Sequence, residues 1–194
     1  MSESWDEYAE AWDDNADVIL YSQKAYDTLC EAVDPEGLDI LDFGCGTGQL
    51  TERLSPTANR ILALDSSKKM ICVLKNKQLS NVDTLACELT DETIKSNISL
   101  HSKFDLIVAS SVCSFLPDYQ GTLILLKTLL KPGGVFVQWD WLKTDADSDF
   151  GLTEEMIRTA FSNAGSGDST ITRAFSLESN EGTMPVLMGV AKNT

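Results

Sequence analysis

Residues 41–50, LDFGCGTGQL, set Gly44, Gly46 and Gly48 within five positions, directly behind an apolar run and just after Asp42. Glycine inside a helix or strand is destabilising, so such a cluster marks backbone that turns sharply or lies close to a ligand. Twenty-three residues after Asp42, Asp65 closes a second apolar run in ILALDSS. A carboxylate at that point can accept hydrogen bonds from both hydroxyls of a ribose, and it repels a ribose carrying a phosphate. A dinucleotide site expects G-x-G-x-x-G, but Gln49 stands where the last glycine belongs. Asp42 would also repel a pyrophosphate. The pattern instead fits a nucleoside-type ligand with a positive end and no phosphate.

Few other residues offer chemistry. Cys30, Cys45, Cys72, Cys87 and Cys113 are scattered, with no C-x-x-C pair, and His101 is the only histidine. This is the pattern of reduced thiols, and it contains no metal-ligand spacing, so no metal is expected. Asp140, between Trp139 and Trp141, is the candidate general base, or else a strand-end acid among core aromatics. Tyr8, Trp12, Tyr21, Trp139 and Trp141 are candidate walls for a flat, apolar or cationic substrate. The alternative for the N-terminal aromatics is that they only pack their segment onto the body.

These residues sit on an alternating series of elements. Trp5, Tyr8, Ala9 and Trp12 have helical spacing, and VILYSQKAYDTLCEAV reads as a second amphipathic helix. LDILDF, RILALD, VDTLAC, FDLIVAS and VFVQWDW read as buried strands. Helical stretches lie between them, and KPGG reads as a turn before the fifth. Alternation of this kind predicts right-handed crossovers and a mostly parallel sheet covered on both faces. After the helix TEEMIRTAFSNAG, the runs STITRAFSL and MPVLMGVAK follow without a helix between them, so an antiparallel pair is expected, joined through SNEGT. In such sheets ligands bind beyond the carboxyl ends of the strands, where strand order reverses, and the glycine loop belongs at that place.

The 194 residues fit one domain. The net charge is −15, and residues 1–42 hold thirteen of the thirty acids against Lys24 alone. Nucleic-acid binding needs basic surface and is not expected. No apolar run is long enough for a membrane span, and the acidic start does not resemble a signal peptide, so a cytoplasmic location is expected. The acidic N-terminal segment reads either as a solubilising face or as a lid that attracts a cation.

ILDFGCGTGQL resembles the first motif of the class I S-adenosylmethionine-dependent methyltransferases. ALDSSKKM resembles the second motif and LACELTD the third. FDLIVASSVCSFLPD and LLKPGGVFVQWDW resemble the fourth and fifth strands with their surroundings. The resemblance runs in order over residues 38–141. It implies a Rossmann-like, seven-stranded, mostly parallel sheet with an antiparallel C-terminal strand pair. It implies a single methyltransferase domain over 1–194, with 1–34 as a helical lid. Carried over by position, Asp42, Gly44, Cys45, Gly46 and Gly48 cradle the methionine part and ribose, with Gly48 also allowing tight helix packing. Asp65 holds the ribose hydroxyls. Ser66 and Met70 lie against the adenine, Glu88 and Leu89 meet its polar edge, and Ser110 faces the methionine amine. Relatives acting on quinones or sterols often carry histidines after the fourth strand; here that stretch reads SVCSFL, which weakens transfer of their substrates. The implied reaction is methyl transfer to a small molecule, yielding S-adenosylhomocysteine, by a monomer or homodimer. Protein methylation and cofactor binding without turnover are the alternatives.

Overall fold

The structure, a computed structural model, describes residues 5–101, 103–144, 150–179 and 182–193. Its strands are β1 (Asp39–Phe43), β2 (Arg60–Asp65), β3 (Val82–Ala86), β4 (Phe104–Ser110), β5 (Leu130–Trp141), β6 (Asp168–Ser179) and β7 (Gly182–Lys192). Its helices are α1 (Ala16–Ala32), α2 (Gln49–Leu54), α3 (Lys68–Asn76), α4 (Asp91–Ser96), α5 (Tyr119–Leu129) and α6 (Glu154–Asn163). The strands form one sheet in the order β3-β2-β1-β4-β5-β7-β6. Pairing is parallel from β3 to β5, and β7 runs antiparallel to both β5 and β6. The expected architecture is therefore present. Residues 180 and 181, inside the expected SNEGT connection, lie outside the described residues.

Alternation along each strand builds two apolar layers. Ile40, Ile61, Leu106, Val108, Val137 and Trp139 face one way, covered by Tyr21, Ala25 and Leu29 of α1 and by Leu50 and Leu54 of α2. Leu41, Leu62, Leu64, Ile107 and Phe136 face the other way, covered by α5 and α6 through Leu123, Leu126, Ile157 and Phe161. Tyr21, Ala25 and Leu29 recur every four residues, so α1 buries one stripe, each large apolar side chain contributing about 1.5–3 kcal/mol. The Asn15 side chain caps α1 by accepting the Asp17 N–H at 2.9 Å.

Two local readings are corrected. Trp5 to Trp12 is not a continuous helix. Residues 7–11 form turns, followed by a 3-10 turn over Trp12–Asp14. The aromatic stripe holds itself together through ring contacts instead, Trp5 and Trp12 meeting edge-on at 6.0 Å. KPGG is not a turn ahead of the fifth strand but a bulge inside it. The register jumps from Phe104↔Leu130 to Leu106↔Val135, and Gly133 carries the positive φ of 77° that this requires.

Candidate active site

β1, β2 and β4 end on the same side of the sheet, next to the reversal of strand order between β1 and β4. A cleft of about 480 Å³ opens there. The glycine loop forms its floor. Gly44 and Cys45 donate their N–H groups to the Leu64 carbonyl at 2.8 and 3.1 Å, hooking the loop onto β2. Gly44, Gly46 and Gly48 all have positive φ. A side chain at Gly44 would run into Val112, while one at Gly46 would come within 3.7 Å of the Trp12 indole nitrogen.

Two carboxylates flank the loop. Asp65 accepts the Gly46 N–H at 2.9 Å with one oxygen and the Ser67 N–H at 2.8 Å with the other. Burial raises its pKa against those donors. Asp42 is 1% exposed and accepts the Thr51 hydroxyl at 2.5 Å. Burial, reinforced by the charge of Asp65, pushes it up to about 7. An ammonium group placed beside Asp42 would favour its ionised form, and the Gly44–Gly46 backbone leaves room for a ligand to approach.

Asp42, Gly44, Cys45, Gly46, Asp65, Ser66, Met70, Glu88, Leu89 and Ser110 all line this one cleft. Gly48 does not; it N-caps α2 with a φ of 84° and faces Leu74, so its contribution is helix packing. Trp12, Tyr21 and Trp141 line the cleft, whereas Tyr8 and Trp139 do not. Tyr8 is 55% exposed. Trp139 is fully buried under α1, its indole N–H donating to the Thr28 hydroxyl at 3.0 Å. Asp140 does not line the cleft either, although its charge reaches Tyr21, which does. Its carboxyl is fully buried, accepts the Ser114 N–H at 2.9 Å and the Gln138 amide at 3.0 Å, and is pushed up to about 7 by burial. Tyr119 completes this network by donating to Gln138 at 2.7 Å. An enclosed carboxyl that stays protonated toward neutral pH, with its oxygens already engaged, is poorly placed to take a proton from a substrate.

Sequence reasoning missed the residues that fasten the N-terminal segment over the cleft. Asp13 accepts hydrogen bonds from the Thr47 hydroxyl and, at 2.9 Å, from the Gln49 amide, and it pairs with Lys77 at 3.0 Å. Burial pushes its pKa up, but the bonds from Thr47, Gln49 and Lys77 outweigh burial and hold it below the usual range. Asp6 accepts from the Ser67 hydroxyl and from the Lys69 N–H at 3.2 Å. Trp5 meets Phe115 edge-on at 5.2 Å, closing an aromatic rim. Only the excess of acids before residue 43 hinted at these contacts. Among the described residues no helix is long and apolar enough to cross a membrane.

Residues 41–136 match the family model described as a methyltransferase domain. The chain is 31% identical over 113 residues to an uncharacterized methyltransferase of Schizosaccharomyces pombe, covering 55% of this chain and 40% of that one. It is 36% identical over 120 residues to a malonyl-acyl-carrier-protein O-methyltransferase of Acetivibrio thermocellus, covering 58% and 40%. The chain thus spans about two-fifths of the length of these curated relatives. In structure it resembles the N-methyltransferase NodS of Bradyrhizobium japonicum, solved with S-adenosylhomocysteine. The TM-score is 0.70 at 19% identity, covering 99% of this chain and 97% of that one. Ordered motifs, strand order and the family match agree: residues 41–136 carry a methyltransferase domain, and the fold around them is that of the class I methyltransferases.

Proposed function

We propose that the chain binds S-adenosylmethionine in this cleft and transfers its methyl group to a small-molecule acceptor. The observation that carries the reading is the convergence of the Gly44–Gly46 backbone, Asp42 and Asp65 in one cleft at the strand ends. Each Asp65 oxygen accepts one backbone N–H and keeps a lone pair for a ribose hydroxyl. Asp42 would hold the methionine end, its carboxylate favoured by the ligand's ammonium group. Met70 and Leu89 offer an apolar slot for the adenine, with Glu88 at its polar edge. When bound, the cofactor supplies an activated methyl on sulfur with a neutral thioether as leaving group. The remaining work is to align the acceptor and exclude water. Residues 1–34 serve as the lid of a single domain, Trp5 and Trp12 covering the cleft and Asp13 fastening the segment to the loop.

The test is calorimetry with S-adenosylmethionine and S-adenosylhomocysteine, beside NAD and an Asp65→Ala variant. Binding of both adenosyl ligands, lost in the variant, is expected. Folded protein that binds neither overturns the reading. Binding without transfer to any acceptor would leave the chain a non-catalytic cofactor binder. The relatives named above act on different acceptors by their names, so the acceptor has to be read from this cleft.

A further inference from the structure

The charged residues lining the cleft are Asp17, Asp42, Asp65 and Glu88; no lysine, arginine or histidine lines it among the described residues. Asp42, Asp65 and Glu88 are taken by the cofactor in the reading above, which leaves Asp17 as the other acid of the lining, so a carboxylate or phosphate acceptor would meet no fixed cation in a partly desolvated site. A hydroxyl acceptor generally needs a base to raise its nucleophilicity. Asp140 is enclosed beneath Ser114, and Asp42 and Asp65 are engaged by the loop. An amine in its uncharged form needs no such base, because its lone pair is already available.

The walls fit the same class. Trp12, Tyr21, Phe115 and Trp141 line the cleft, and ring faces stabilise an ammonium or an apolar body. The Tyr21 ring lies 5.1 Å from that of Trp141 at a tilt of 56°, and its buried hydroxyl, close to the Ser111 side chain and within the field of Asp140, makes no well-formed hydrogen bond among the described residues. A buried hydroxyl without a well-formed hydrogen bond is unusual, and one lining a cleft is available to a ligand.

We infer that the acceptor is an amine on an apolar or aromatic body, that the cleft discriminates against anionic acceptors, and that the Tyr21 hydroxyl receives the polar end of the acceptor. The inference rests on the methyltransferase reading above. In the transfer, the acceptor nitrogen forms the N–C bond with its lone pair. The methyl–sulfur bond breaks with its electrons staying on sulfur, and the surplus proton leaves the product ammonium for water. An acceptor that arrives as an ammonium ion gives one proton to water before this step, and the product nitrogen gives up another after it.

The test is ligand-observed NMR on the full chain with three probes sharing one ring: phenethylamine, 4-ethylphenol and 3-phenylpropionate. It is run with and without S-adenosylhomocysteine. The amine is expected to bind about ten-fold more tightly than the carboxylate. Tyr21→Phe, which removes only the hydroxyl beside Ser111 and keeps the ring, is expected to weaken the amine and leave S-adenosylhomocysteine affinity unchanged, with a thermal melt showing that the variant is folded. A carboxylate or phenol that binds as well as the amine, an amine that does not bind, or indifference to Tyr21→Phe overturns the inference. If S-adenosylhomocysteine itself fails to bind, the cofactor reading falls, and the probe preference is still read from the unloaded protein.

Discussion

Asp13, in the N-terminal segment, accepts a hydrogen bond from Thr47, in the glycine loop, across 34 residues of chain. The same carboxylate holds Gln49 and Lys77, so three contacts converge on one side chain. It ties the segment that covers the cleft to the loop beneath it and to the end of α3. Asp13→Ala would release all three partners at once. The expected result is about ten-fold faster dissociation of S-adenosylhomocysteine, the equivalent of ~1.4 kcal/mol, with little change in the melting temperature. Stopped-flow fluorescence of the tryptophans would measure it, and an unchanged dissociation rate would mean that the segment does not gate the site.

Gly44 and Gly46 have the same conformational demand but different neighbours. Both have positive φ, yet only at Gly44 would a side chain collide, with Val112 of the loop after β4. Gly44→Ala is therefore expected to destabilise the fold by roughly 2–4 kcal/mol through strain and overlap together. Gly46→Ala meets strain alone and should cost about 1–2 kcal/mol. Its methyl would stand in the space between the loop and Trp12, so ligand binding should fall more than stability. Thermal melts and calorimetry on the two variants separate the effects; equal losses of stability would contradict the difference in packing.

Much of this was legible in the sequence because it depends on local pattern. Alternation in LDILDF and FDLIVAS predicted two buried faces, and the glycines and Asp65 predicted a cleft at the strand ends. The misplaced residues failed for a common reason: sequence spacing does not say how far along a strand the cover extends. Trp139 and Trp141 lie on one face of β5, two positions apart, but α1 covers the first at Thr28 and leaves the second beside Tyr21 at the cleft. Asp140 points to the opposite face, where Gln138 and Tyr119 enclose it. The Asp13 and Asp6 tethers pair residues 34 and 61 positions apart, and no periodicity encodes such contacts.

Asp42 and Asp140 make stability depend on pH. Both are pushed from the ordinary 3.8 to about 7, burial being the main cause. Between those values the folded chain keeps protons that the unfolded chain has released. The stabilisation is therefore complete at low pH and is lost as pH rises through about 7. Asp140→Asn keeps the shape but removes one titration. The melting temperature of the variant, relative to the parent, should be higher at pH 8 than at pH 5. A difference that does not vary with pH would mean that Asp140 is ionised in the folded state throughout.

Trp139 and Trp141 should separate stability from recognition. Trp139 is fully buried and bonded to Thr28, so Trp139→Ala opens a large cavity under α1 and removes that hydrogen bond. The expected destabilisation is about 3–5 kcal/mol. Trp141 is only partly covered, and its ring forms a wall of the cleft between Tyr21 and Phe150. Trp141→Ala should cost about 1–2 kcal/mol of stability. Its main effect should be on aromatic ligands, since the ring face that a bound ring or ammonium would touch is gone. Urea unfolding of both variants, with phenethylamine binding to the loaded protein, gives the two readouts. If Trp141→Ala proved the more destabilising, or left aromatic binding intact, the ring would be part of the core rather than of the acceptor site.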